Sequence, residues 1–327
     1  MRIGLQLTKN PEKYKQLLGL LKANLQNGIE AEFIHIPDND ILKDEIPELD
    51  ILVTYGISEK LFSQSNTKLK WIHFGTAGIE KSLTPTLLKS KTIITNASGV
   101  HANPVSEFAL GMMIYLSKKF NGCEKFKKDK EWTQWELARQ TIQLRGKTVG
   151  IIGFGSIGKA IAKKCKAFDM NVIATRRLQK KMESKKTVDE LIPISELDYL
   201  LKNSDYVVIA CPLTPLTTGL IGKSQIKKMK STAFLINVAR GAIIDETALI
   251  QALENKAIAG VALDVFENEP LPESSPLFTF DNAFLSPHIS GNFPEYQTDM
   301  IKQFIENLIC FLNGKTLKNR ICKKRLY

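Results

Sequence analysis

Arg240, Glu269 and His288 are the residues of this 327-residue chain whose types and placement could handle protons and charge. Each follows a short apolar run that reads as a buried strand. Asn237-Val238-Ala239-Arg240-Gly241 ends one run, and Asp264-Val265-Phe266-Glu267-Asn268-Glu269-Pro270 ends another. Ser286-Pro287-His288-Ile289-Ser290-Gly291 follows the last. Ligands of open α/β sheets bind outside the carboxyl ends of the strands, so the three side chains could converge there. An arginine fork holds a carboxylate by two charge-assisted bonds and polarises a neighbouring carbonyl. A histidine moves a proton to or from an alcohol near neutral pH, and a glutamate beside it favours the protonated ring and orients it. Next to a nicotinamide, which carries the hydride, these parts suffice to interconvert a 2-oxo acid and a 2-hydroxy acid. Taken singly, the arginine and glutamate read as surface charges and the histidine as structural. The combination, downstream of a cofactor turn, reverses that reading.

The turn lies at Lys147–Arg177. Thr148-Val149-Gly150-Ile151-Ile152 is a β-branched apolar run that enters Gly153-Phe154-Gly155-Ser156-Ile157-Gly158, a fit to G-x-G-x-x-G. Ile157, Ile161, Cys165 and Phe168 then recur at helical spacing. In such a unit one glycine makes the tight turn, one admits a pyrophosphate, and one lets helix and strand pack closely. The helix N-terminus holds the phosphates. The next strand, Asn171-Val172-Ile173-Ala174, should finish in an acid for the ribose 2′-hydroxyl. It finishes in Thr175-Arg176-Arg177 instead, a hydroxyl and two cations that suit a 2′-phosphate. NADP(H) is therefore the expected cofactor, with NAD(H) possible.

The elements around these residues alternate. Residues 1–98 carry the short apolar runs Ile3–Leu7, Ala31–Ile36, Ile51–Val53, Trp71–Phe74 and Thr92–Thr95, with amphipathic stretches such as Tyr14–Leu25 between them. Asn103-Pro104 resembles a helix cap before the apolar helix Val105–Leu116. After the turn, strand-like runs at Tyr206–Ala210, Ala233–Val238, Gly260–Val265 and Asn282–Leu285 alternate with helical Ile194–Lys202, Lys223–Lys230 and Glu246–Glu254. This pattern predicts doubly wound parallel sheets. The amphipathic tail Pro294–Leu312 holds no domain of its own and is expected to pack back on the first. The formal charge of +11 comes from 45 Lys and Arg against 34 Asp and Glu, with the lysines scattered in pairs. That reads as a solvated surface, so neither a nucleic acid nor a membrane is expected as partner. Five cysteines, odd in number, far apart and without a C-x-x-C, fit a reducing cytoplasm and argue against a disulfide framework or a zinc site. His35 and His73 read as structural, His101 as packing near a hinge, Trp132 and Trp135 as packing residues. Tyr55 could face the substrate.

Five ordered segments carry a resemblance that covers essentially the whole chain. They are Leu144–Gly150 leading into the glycine turn, Cys211-Pro212-Leu213-Thr214-Pro215-Leu216-Thr217, Leu235–Gly241, Leu263–Phe266 with Glu269-Pro270, and Ser286-Pro287-His288. The chain resembles the D-isomer-specific 2-hydroxyacid dehydrogenases, in their glyoxylate/hydroxypyruvate reductase-like branch. The resemblance implies two doubly wound parallel-sheet domains, Rossmann- and flavodoxin-like, with a cleft between them that closes on substrate. Residues 1–98 plus 290–327 would form the substrate domain and 99–289 the dinucleotide-binding domain. Arg240 would bind the substrate carboxylate and carbonyl, and His288 would donate the proton with Glu269 as its partner. Asp264 and the backbone around Val238 would face the nicotinamide, and Pro212 and Thr217 the adenine and phosphates. The loop Phe74–Ile79, with Ala77 and Gly78, resembles the one whose amides hold the carboxylate. The family's NAD-type acid would fall at Arg176. A homodimer built through the cofactor domain and a small 2-oxo or 2-hydroxy acid substrate are also implied. Two alternatives stay open: a phosphoglycerate dehydrogenase-like enzyme using NAD, and a non-catalytic, nucleotide-sensing corepressor-like protein.

Overall fold

The structure is a computed structural model that describes residues 1–25, 30–65 and 68–326. The chain forms two compact units, Met1–His101 with Phe293–Tyr327, and Ala102–Asn292. Among the described residues no helix is long and apolar enough to cross a membrane.

The first unit holds β1 (Arg2–Gln6), β2 (Glu32–His35), β3 (Ile51–Thr54), β4 (Trp71–Phe74) and β5 (Ile93–Asn96), all parallel in the order β2-β1-β3-β4-β5. Strands β3 and β4 are buried at every residue, as continuous apolar runs must be when both faces of a parallel sheet are covered. One face packs on the helix Tyr296–Leu312, whose Met300, Ile301, Phe304, Ile305 and Leu308 bury against Ile3, Leu5, Val53 and Trp71. Each such side chain contributes about 1.5–3 kcal/mol before chain entropy is counted. The tail therefore does return to the first sheet. His73 is a core residue: its Nδ1 shares a hydrogen bond with the Thr95 hydroxyl at 2.8 Å, and burial pushes its pKa down to about 3. His35 stacks on Tyr14 with ring centroids 4.3 Å apart and donates from Nε2 to the Thr8 carbonyl. Both structural readings hold.

The second unit contains β6 (Thr148–Ile152), β7 (Asn171–Arg176), β8 (Glu183–Lys185), β9 (Val188–Pro193), β10 (Tyr206–Ile209), β11 (Phe234–Asn237), β12 (Gly260–Leu263) and β13 (Ala283–Leu285). They order as β13-β12-β11-β10-β6-β7-β9-β8, parallel except for β8. Strand order reverses between β6 and β10, the switch point where such sheets take their ligands. Strands β8 and β9 were not expected. Every residue of the edge strand β8 is exposed, so it shows no apolar period, and its lysine is typical of a protected edge. In β9, Asp189 and Glu190 interrupt the apolar run, and Pro193 ends it. The first helix begins at Ala102, so Asn103 lies inside it rather than capping it. Trp132 and Trp135 are 80% and 68% exposed, against the reading of both as packing residues. Among the described residues, of the two only the Trp132 ring finds an aromatic neighbour, Phe126, at 5.7 Å.

Candidate active site

The glycine turn joins β6 to the helix Ser156–Ala167. Gly153 has φ +104, and a Cβ there would sit 2.7 Å from the Cys211 backbone, so the turn also fits tightly against the end of β10. A Cβ on Gly158 would stand 2.1 Å from the Gly153 carbonyl, which closes the helix onto the strand. A Cβ on Gly155 would meet nothing within 4 Å. Gly155 and Ser156 are exposed, Ile157 is half-buried, and no side chain caps the helix N-terminus. Open space and uncapped N–H groups at this end form a cradle that fits a pyrophosphate.

Strand β7 brings Thr175 beside the turn. Thr175 is 1% exposed, and its hydroxyl accepts from the Gly153 N–H at 3.3 Å while its carbonyl accepts from Phe154. This corrects the picture of Thr175 as a hydroxyl presented outward with the arginines: it shapes the turn from within. Arg176 and Arg177 are both exposed at the strand end. At the end of β10, Pro212 is exposed, and the Thr217 hydroxyl donates to the Pro212 carbonyl at 2.8 Å and accepts from the Thr214 N–H. Thr217 thus closes its own loop. Burial pushes the Cys211 thiol up to about 12, which leaves it inert.

Beyond β11, the buried Asn237 donates to the Arg240 carbonyl at 2.9 Å and accepts from the Ala239 N–H, fixing the bend that presents Arg240. Arg240 is half-buried, with its guanidinium donating to the Ala239 carbonyl at 2.7 Å. Val238 is buried against β10. A Cβ on Gly241 would lie 1.8 Å from the Phe266 carbonyl carbon, so only glycine lets this bend meet the chain leaving β12. That chain carries Glu269, which accepts from the Phe266 N–H at 3.0 Å and from His288 Nδ1 at 2.8 Å. Burial alone would raise the Glu269 carboxyl. The His288 bond, the Phe266 N–H and the nearby Arg240 charge outweigh it and hold the carboxyl below its ordinary range.

His288 sits at φ +56, a left-handed conformation that is costly for a side chain with a Cβ. Asp264 explains how it persists. One carboxylate oxygen accepts from the Ser286 hydroxyl at 2.6 Å and the Ile289 N–H at 2.9 Å, and the other from the Ser290 N–H at 3.0 Å. Asp264 is 1% exposed, so both oxygens brace the loop that carries His288. Asp264 thus has a bracing task in addition to the place beside the nicotinamide that the resemblance implies. Asn237 and Ser286 lie within the sequence motifs, and their tasks appear only in the fold. A polar residue inside an otherwise apolar strand end was the available signal.

In the first unit, Gly75, Thr76, Ala77 and Gly78 follow β4. Their carbonyls accept, in order, from the Tyr296 hydroxyl, the Ala97 N–H (3.1 Å), Asn96 Nδ2 (2.5 Å) and the Thr76 hydroxyl (3.0 Å). Tyr55 accepts from Gln297 Nε2 at 2.9 Å, and His101 stacks on Tyr296 with centroids 4.6 Å apart.

Residues 110–290 match the sequence model of the D-isomer specific 2-hydroxyacid dehydrogenase NAD binding domain. The chain belongs to the D-isomer specific 2-hydroxyacid dehydrogenase family. As a member of that family it is an oxidoreductase acting on 2-hydroxy acids with a nicotinamide cofactor. It is 38% identical over 254 residues to a glyoxylate reductase of Thermofilum pendens, covering 76% of this chain and 73% of that one. To a glyoxylate reductase of Thermococcus onnurineus it is 34% identical over 297 residues, covering 88% and 87%. Among solved structures, a D-isomer specific 2-hydroxyacid dehydrogenase family protein of Aeromonas salmonicida superposes with a TM-score of 0.81 at 28% identity, covering 98% and 99%.

Proposed function

We propose that this 2-hydroxyacid dehydrogenase is an NADP(H)-preferring reductase that converts a small 2-oxo acid of the glyoxylate or hydroxypyruvate type to its D-2-hydroxy acid. The observation that carries the reading is the pairing of His288 Nδ1 with Glu269 at 2.8 Å, with the Arg240 charge acting on the same carboxylate. The glyoxylate reductases among its relatives support the substrate class. The second unit is assigned to the dinucleotide and the first to substrate.

With Nδ1 engaged by Glu269, Nε2 is the atom left to give its proton to the carbonyl oxygen of the substrate. An ionised Glu269 keeps the ring in that orientation and balances its charge. Arg240 binds the carboxylate through its fork and polarises the carbonyl, and the Ala77 and Gly78 amides bind the carboxylate from the substrate unit. Gly153, Gly155, Ser156, Ile157 and Gly158 would hold the pyrophosphate, with Pro212 and Val238 along the same strand ends. Arg176 and Arg177 would hold a 2′-phosphate where an acid would repel it. The bound cofactor supplies the hydride. The exposure of Trp132 and Trp135 supports a homodimer in which a second copy covers this segment.

One panel tests the reading: glyoxylate, hydroxypyruvate and 3-phosphohydroxypyruvate, each with NADPH and NADH, on wild type, His288→Ala and Arg176→Asp. NADPH is expected to be favoured by roughly 10- to 100-fold, the worth of one charge-assisted bond, and Arg176→Asp to erase the preference. NADH serving equally well in the wild type, with no effect of Arg176→Asp, would refute the cofactor assignment. Full activity in His288→Ala would refute the proton donor, and a single-protomer mass by light scattering would refute the dimer.

A further inference from the structure

The carbonyls of Gly75 to Gly78 are all tied down inside the first unit, and two of the four donors are side chains remote in sequence. In a trans peptide the N–H points opposite to the carbonyl. The Ala77 carbonyl, held by Asn96 Nδ2 at 2.5 Å, therefore aims the Gly78 N–H away from Asn96. The Thr76 carbonyl, held by the Ala97 N–H, does the same for the Ala77 N–H. Asn96 is itself buried, and its own Oδ1 accepts from the Ser98 N–H at 3.2 Å. Tyr296, in the first turn of the C-terminal helix, anchors the loop entry by donating to the Gly75 carbonyl, while its ring is fixed by the stack on His101. Burial raises the Tyr296 phenol, so the hydroxyl stays a donor at any working pH.

We infer that Asn96 and Tyr296 are positioning residues for substrate carboxylate recognition: they turn the Ala77–Gly78 amides into a preset anion receptor by fixing the carbonyls on the opposite side of the same peptides. The inference rests on the reading that those amides bind the carboxylate. Neither residue touches substrate, so each acts on affinity for the carboxylate and leaves the chemical step alone.

The test compares glyoxylate with glycolaldehyde, which keeps the carbonyl but lacks the carboxylate, on wild type, Asn96→Ala and Tyr296→Phe with NADPH. The phenylalanine variant retains the His101 stack and removes only the hydroxyl. Losing one neutral hydrogen bond that presets the loop should raise KM for glyoxylate by about 3- to 10-fold, with kcat within about twofold. KM for glycolaldehyde and the Kd of NADPH should stay at wild-type values. An unchanged glyoxylate KM in both variants, or a parallel rise for glyoxylate and glycolaldehyde, overturns the positioning role. Wild type reducing glycolaldehyde as well as glyoxylate overturns instead the carboxylate reading beneath it.

Discussion

Replacing Asp264 by asparagine exchanges one oxygen for an NH2 group at a site that is 1% exposed and surrounded by donors. If the remaining oxygen keeps Ser286 and Ile289, the new NH2 confronts the Ser290 N–H, donor against donor. One charge-assisted bond is lost, at about 1.5–3 kcal/mol, and the surviving two become ordinary neutral bonds. The net cost is about 2–4 kcal/mol. For a unit the length of Ala102–Asn292 this lowers Tm by about 4–16 °C. The left-handed backbone of His288, held against about 1–2 kcal/mol of intrinsic cost, would then relax and carry the ring away from Glu269. Misplacement of a proton donor by an ångström costs about 100-fold in rate. Calorimetry, NADPH titration and steady-state kinetics on Asp264→Asn separate these effects. A Tm within 2 °C of wild type, with the whole loss appearing in cofactor affinity, would refute the bracing role and return Asp264 to the nicotinamide.

Gly155→Ala should fold with wild-type Tm yet bind cofactor weakly, because its Cβ enters the open cradle, whereas Gly158→Ala should lose stability because its Cβ meets the Gly153 carbonyl; calorimetry with NADPH titration checks both, and equal effects of the two would refute the division of labour. Glu269, held below its ordinary range, contributes stability above the unfolded carboxyl value of about 4.3 and loses it as pH falls through its lower folded value, so the Tm gap between wild type and Glu269→Gln should close on acidification; a gap constant from pH 7 to about pH 3 refutes this.

The parts of the fold and site that were legible in the sequence are those written in local patterns. The strand before Gly153, the glycine spacing and the helix after it fall within 20 consecutive residues, and the buried runs of β10, β11 and β12 announce a covered parallel sheet. Arg240, Glu269 and His288 were found because each follows such a run. The edge hairpin of β8 and β9 was not, because the exposed β8 carries no apolar period and Asp189 and Glu190 break the run of β9. Thr175 illustrates a second limit. A threonine at a strand end looks the same in sequence whether its hydroxyl turns outward or, as here, back to a glycine N–H 22 residues earlier. Asp264 with Ser286 and Gly75 with Tyr296 pair across 22 and 221 residues, distances at which no periodicity speaks. Trp132 and Trp135 failed for a related reason: bulk and apolarity argue for burial, but only the packing of neighbours decides whether anything covers them.

The close approach at Gly241 has a consequence for how this enzyme can change. The bend presenting Arg240 and the segment leading to Glu269 touch backbone to backbone, with no side chain between them to be trimmed or enlarged. Under the roles proposed for Arg240 and Glu269, anion recognition and proton handling are thereby ganged: neither can be shifted by a fraction of an ångström without dragging the other. New substrates must then be reached by altering the walls around this pair, while the pair itself travels as one rigid tool.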